Sequence, residues 1–200
     1  MYVGPPIDDL EMLERLPAPY RHLLERANGY VAYDGGLHVR GACVAPEWHS
    51  LRAAWDGDRA LHRLFPAVAP GDIPFAEDAL GDQYLLRAEV VHRLAGETGD
   101  VESLGVDLVG FDLAVRADPI GYLNLEPLEA FRAEGGALEP GQLLDVYPPY
   151  VFEESAVGVS FRAISAADRI EFLASLATQL RAIPDGTAVR LAIDPAASKT

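Results

Sequence analysis

The chain has 200 residues, half of them hydrophobic, with 16 Lys and Arg against 31 Asp and Glu and a net charge of -15. That length suffices for one domain with a real core and no need of disulfides. The charge opposes nucleic acid and the anionic face of a membrane, and it suits either solubility alone or a basic partner.

The opening Met1-Tyr2-Val3-Gly4-Pro5-Pro6 lacks a basic n-region and an apolar h-region, so no signal peptide is expected. No apolar run reaches the ~18 residues that span a bilayer. Ile7 to Arg15 reads as a short amphipathic helix, stopped by Leu16-Pro17-Ala18-Pro19. Tyr20 to Ala27 follows as a second helix with Tyr20, Leu23, Leu24 and Ala27 on one stripe, closed by Asn28-Gly29. Tyr30 to Tyr33 and Leu37 to Val39 are strands around the turn Asp34-Gly35-Gly36. Pro46 to Trp55 reads as one helix, which places Trp48 and Trp55 seven apart on one buried face. Asp58 then caps a helix from Arg59 to Phe65.

The richest stretch is a meander: Ile73 to Asp78, Gln83 to Arg87, Val90 to Leu94, and Val101 to Leu104. Its links, Leu80-Gly81-Asp82 and Gly96-Glu97-Thr98-Gly99-Asp100, are made of turn formers. Asp107 begins a helix from Leu108 to Arg116, and Asp118-Pro119 opens another that breaks near Leu125-Glu126-Pro127 and runs to Phe131. Gly135 to Pro149 is so punctuated that it reads as a long loop or linker. Val157 to Ile164 is a strand. Ser165-Ala166-Ala167-Asp168 is a capping box that opens a helix to Ala182, with Ile170, Leu173, Leu176, Ala177 and Leu180 on its stripe. Pro184-Asp185-Gly186 stops that helix, and Thr187 to Ile193 is a last strand. Two units follow: residues 1–146 as an α+β domain, and residues 147–200 as a strand-helix-strand extension packed on it.

Chemistry-bearing patterns are scarce. His22, His38, His49, His62 and His92 do not fall at metal-ligand spacing and read as exposed or helix-face residues. Asp56-Gly57-Asp58 lacks the other ligands of a calcium loop. No serine sits in a nucleophile elbow, and no glycine-rich loop carries the phosphate-binding pattern. The single cysteine, Cys43, fits a half-buried packing role and a reducing cytoplasm; the single lysine is Lys199. The abundance of Asp and Glu leaves an unrecognised carboxylate pair open.

Three segments carry a resemblance. Leu16-Pro17-Ala18-Pro19-Tyr20-Arg21-His22-Leu23-Leu24-Glu25-Arg26-Ala27-Asn28-Gly29 is similar to the opening helix of the SUKH superfamily, which includes the fungal Smi/Knr cell-wall regulators. The run Ile73-Pro74-Phe75-Ala76-Glu77-Asp78-Ala79-Leu80-Gly81-Asp82-Gln83-Tyr84-Leu85-Leu86 resembles the family's central hairpin, and Val90-Val91-His92-Arg93-Leu94 the strand after it. The resemblance covers roughly the first half of the chain, and the segment from Tyr147 onward departs from it. It implies an α+β fold with a twisted, mainly antiparallel sheet flanked by helices. It implies a cytoplasmic, non-enzymatic protein that neutralises a toxin by binding it, or a scaffold without a toxin; a hydrolase using a carboxylate pair is the reading from another class. No cofactor, metal or catalytic residue is expected. The expected partner is a basic toxin domain, of the kind that includes nucleases. The candidate partner surface comprises Glu77, Asp78, Asp82, Glu97 and Asp100 at the meander's turns, with Tyr147, Tyr150 and Phe152 around Pro148-Pro149.

Overall fold

The computed structural model describes residues 1–183. Seven strands pair antiparallel in chain order: β1 (Tyr2–Val3), β2 (Tyr30–Ala32), β3 (Leu37–Val39), β4 (Ile73–Asp78), β5 (Gln83–Arg87), β6 (Val90–Leu94) and β7 (Val101–Ser103). A separate two-stranded sheet joins β8 (Gln142–Tyr147) to β9 (Ser160–Ser165). The helices are α1 (Leu10–Glu14), α2 (Ala18–Arg26), α3 (Leu51–Asp56), α4 (Leu61–Leu64), α5 (Leu108–Ala117), α6 (Pro119–Tyr122), α7 (Glu126–Ala133) and α8 (Ala166–Arg181). The fold is therefore α+β, with the expected antiparallel meander.

The β4–β5 hairpin shows how local chemistry sets the register. Asp78 Oδ1 accepts from the backbone N–H groups of Leu80, Gly81 and Asp82 at 3.0–3.1 Å, and Gly81 takes φ +98° to close the turn. Glu77 then faces Gln83, and Ile73 faces Leu86. The register shifts between Pro74 and Ala76, where proline has no N–H for the ladder.

The centre of the sheet is buried on both faces, which is why Tyr84-Leu85-Leu86 of β5 is apolar without alternation. Tyr84 and Leu86 join a core with Tyr20, Leu24, Phe75, Phe111 and Val115, built against α2 and α5. Leu85 between them joins a second core with Leu61, Phe65, Leu173 and Ala177, built against α4 and α8.

Several elements differ from expectation. Pro46 to Trp55 is not one helix: a 3-10 turn spans Glu47–His49, Ser50 is extended (φ -70°, ψ 120°), and its Oγ caps α3. Trp48 and Trp55 therefore do not share a stripe. Trp48 lies against Tyr2, His38 and His49, while buried Trp55 donates to the Pro70 carbonyl. Asp58 caps nothing, because α4 begins after Ala60. The punctuated stretch before Pro149 contains β8. Its glycines and Pro140 precede the strand and Pro148 and Pro149 follow it, so six pairing residues sit between the breakers.

The boundary set after residue 146 falls inside β8. The unit β8–β9–α8 docks on the β4–β5 turn: Leu144 N donates to Ala79 O at 2.7 Å, and Arg169 Nε to Leu80 O at 3.2 Å. The capping box is present, Ser165 Oγ accepting from Asp168 N at 3.1 Å. Leu173, Leu176 and Ala177 are buried as expected, but Ile170 and Leu180 are only partly so. The buried stripe is rotated toward Arg169, which Asp145 and the Leu80 carbonyl draw inward. The expected strand Thr187 to Ile193 lies outside the described residues. Among the described residues no helix is long and apolar enough to cross a membrane.

Candidate functional site

Two of the five candidate carboxylates are inside the protein. Glu77 and Asp78 are 1% and 2% exposed, so neither offers itself to a partner. Turn carboxylates were expected at the surface because a bare charge resists burial; here each finds donors that offset its desolvation.

Glu77 anchors a buried network. Its Oε2 accepts from Arg40 Nη2 at 2.7 Å and Gln83 Nε2 at 3.0 Å, while Oε1 lies 2.8 Å from His38 Nδ1. His38 Nε2 lies 2.9 Å from His49 Nδ1, and His49 Nε2 donates to the Asn28 carbonyl at 2.9 Å. Asn28 in turn accepts from Ala42 N and donates to Pro5 O. The N-terminal segment, the end of α2 and strands β3 to β5 are thus tied through side chains. These histidines were expected to be exposed or on helix faces; His38 and His49 are buried, with both ring nitrogens of each facing a polar partner at 2.8–2.9 Å.

Burial alone would raise the Glu77 carboxyl, but the Arg40 guanidinium and His38 outweigh it and hold it at about 2. Burial pushes His49 down to about 4. It also lowers His38, against the pull of Glu77. Two neutral imidazoles carry two ring protons, whereas the line from Asn28 to Glu77 has three contacts. A proton entering this line has its place between His38 and Glu77; one added at His49 Nδ1 would face the His38 donor.

Asp78 and Asp82 form a second buried cluster. Burial, then the neighbouring Asp82, pushes Asp78 well above the usual carboxylate range. Asp82, half-buried, is also raised by burial, and its Oδ1 accepts from Gly96 N at 2.8 Å. Asp78 closes the β4–β5 turn, and Asp82 ties that turn to the β6–β7 link.

The remaining candidates converge on one surface. Glu97, in the β6–β7 link, accepts from Tyr150 N at 3.1 Å and Val151 N at 2.8 Å. It thereby holds the loop between β8 and β9. That loop exposes Tyr147 (48%), Tyr150 (43%) and Val157 (94%), while Phe152 turns inward as its buried anchor. Glu153 and Glu154 are exposed on the loop's own 3-10 turn, and Asp100 is exposed in the link that carries Glu97. The aromatic loop and one of the acidic positions, Glu97, thus belong to one neighbourhood that spacing alone did not connect.

A cleft of about 310 Å³ opens between α3, α4 and the start of α8. Arg40 and Glu77 line it beside Ala53, Leu61, Leu64 and Ile170, and an Arg59–Glu171 ion pair at 2.8 Å lies on its rim. A carboxylate-pair hydrolase would need two carboxyls free to act on a substrate there. Of the three carboxylates on its lining, Glu77 is paired with Arg40 and His38 and Glu171 with Arg59, while Glu47 has no ion-pair partner among the described residues. Among the described residues no group of three or more His, Cys, Asp and Glu side chains is placed to hold a metal ion. Cys43 is fully buried rather than half-buried, and burial lifts its thiol to about 11, which leaves it unreactive. Compared with models of known protein families the chain matches none, and a comparison with curated proteins likewise finds no match.

Proposed function

We propose that the chain is a non-catalytic cytoplasmic binding protein of the toxin-immunity type, engaging a basic protein domain through the loop between β8 and β9. The observation that carries this reading is the exposed Tyr147, Tyr150, Val151 and Val157, held by Glu97 at Tyr150 and Val151 and accompanied by exposed Glu153 and Glu154. Fixed aromatics with a carboxylate rim are the composition of an interface anchor. The net charge of -15 would speed the encounter with a cationic surface. The resemblance of the hairpin to the SUKH superfamily supports the same reading. So does the internal pairing of Glu77, Arg40 and His38, which leaves them no free role on a substrate.

The test uses the protein encoded beside this gene, purified as an inactive variant, with association followed by surface-based kinetics. Tyr150→Ala should weaken binding about tenfold or more, mainly by faster dissociation. Glu153→Lys with Glu154→Lys should slow association and flatten its salt dependence. Absence of binding, or binding indifferent to both changes, would overturn the proposal.

A further inference from the structure

A second concavity, unrelated to the loop between β8 and β9, runs over β1 to β3 between α2 and α5. Its volume is about 690 Å³, within the ~300–1,000 Å³ of small-molecule sites. Its lining includes Val39, Phe75, Phe111 and Val115 of the main core, with Leu23 of α2. The charged side chains on its lining are Arg26, Arg116 and Asp112, and Asp112 is already paired with Arg116 at 2.9 Å. The rim is therefore net positive in a chain of net charge -15. Arg26 and Arg116 each sit in the last turn of a helix, where a cation suits the dipole. That accounts for each arginine singly, but not for both lining one apolar groove.

We propose that this groove binds an aliphatic carboxylate of the fatty-acid class, its alkyl chain along the apolar floor and its head group at Arg26 and Arg116. Charge complementarity selects the anion: the field of the whole chain repels one, so binding must draw on the local cations and on buried methylenes. An alkylammonium of equal length has the whole-chain field in its favour but the wrong partner at the rim.

The experiment is calorimetric titration of the full chain, below micelle formation, with octanoate, decanoate and dodecanoate, and with decylamine and decanol as controls. Affinity should rise about fourfold per added methylene until the groove is filled. Decanoate should bind at least tenfold more tightly than decylamine. Arg26→Glu with Arg116→Glu should remove that preference, and Ala27→Trp, which fills the groove from its wall, should abolish binding while the far-ultraviolet spectrum is unchanged. Arg26→Gln alone serves as the milder variant should the double reversal not fold. Equal affinity for decanoate and decylamine, indifference to Ala27→Trp, or no heat for any carboxylate would overturn the proposal. So would a self-associated state in sedimentation that the same variants dissociate, since a second copy would then occupy the groove.

Discussion

Replacing Glu77 with Gln separates a buried structural carboxylate from a surface one. Glu77 is 1% exposed and is the only anionic partner of Arg40, itself 2% exposed, among the described residues. Gln keeps the shape but removes the charge, leaving the guanidinium with the Pro74 carbonyl at 3.0 Å and the Gln83 amide oxygen at 2.7 Å as its nearest acceptors. Breaking a buried pair from one side costs about 3–5 kcal/mol, and the retained amide oxygen places Glu77→Gln near ~3. That is a large share of the roughly 5–15 kcal/mol that holds a domain folded. Urea unfolding at pH 7.5 measures it, with exposed Glu154→Gln as the reference expected to stay within about 0.5 kcal/mol. Arg40→Met combined with Glu77→Gln should be less damaging than the two changes summed, because no orphan charge remains. A loss below about 1 kcal/mol for Glu77→Gln would refute the network's role, since a buried unpaired charge cannot be that cheap.

Asp78, the next residue, should respond in the opposite sense. Asp78→Asn keeps an acceptor for the turn N–H groups and removes a charge pushed up by burial and Asp82, so unfolding at pH 7.5 should show no loss or a gain of up to about 1 kcal/mol. Leu173→Ala should cost on the order of 2–5 kcal/mol by denaturant titration, as expected for a leucine buried against Phe65, Leu85 and Leu94. His49 stays neutral to about pH 4 in the fold, against about 6.5 unfolded. Its contribution is therefore complete above about pH 6.5 and declines as pH falls toward 4. Between pH 7.5 and 4.5 the wild type should lose roughly 2–3 kcal/mol more than His49→Gln, read from paired urea curves.

What the sequence made legible was local. Turn chemistry at Gly81-Asp82 and the capping box at Ser165 each involve partners within four residues, and both elements stand where expected. The network around Glu77 was hidden because its partners are 37 residues away at Arg40 and 39 at His38, and His49 joins only through His38. A hint was available: His38 sits between Leu37 and Val39 on a strand that is apolar at each end, and Arg40 follows directly. Polar residues in a strand that proves buried on both faces must find partners inside. The acidic hairpin misled for the same reason, since Glu77 and Asp78 look alike in sequence, yet one meets a guanidinium and the other a ring of backbone N–H groups. The clamp of Glu97 on Tyr150 was likewise out of reach at 53 residues.

The order of assembly follows from the way the sheet is laid down. Each strand of the meander pairs with its neighbour in the chain, so the closures from β4 to β7 are short and cheap. The unit β8–β9–α8 closes against the β4–β5 turn across 89 residues, from Arg169 to Leu80. Its seat has a shape requirement: a Cβ at Gly81 or Gly96 would lie 2.7 or 2.8 Å from Leu173 Cδ1. The C-terminal unit is therefore expected to dock after the platform and to open with less than complete unfolding. Because the loop holding Tyr147 and Tyr150 rides on this late-docking unit, the platform governs when that surface becomes presentable. Amide exchange in α8 should outpace exchange in β4 and β5.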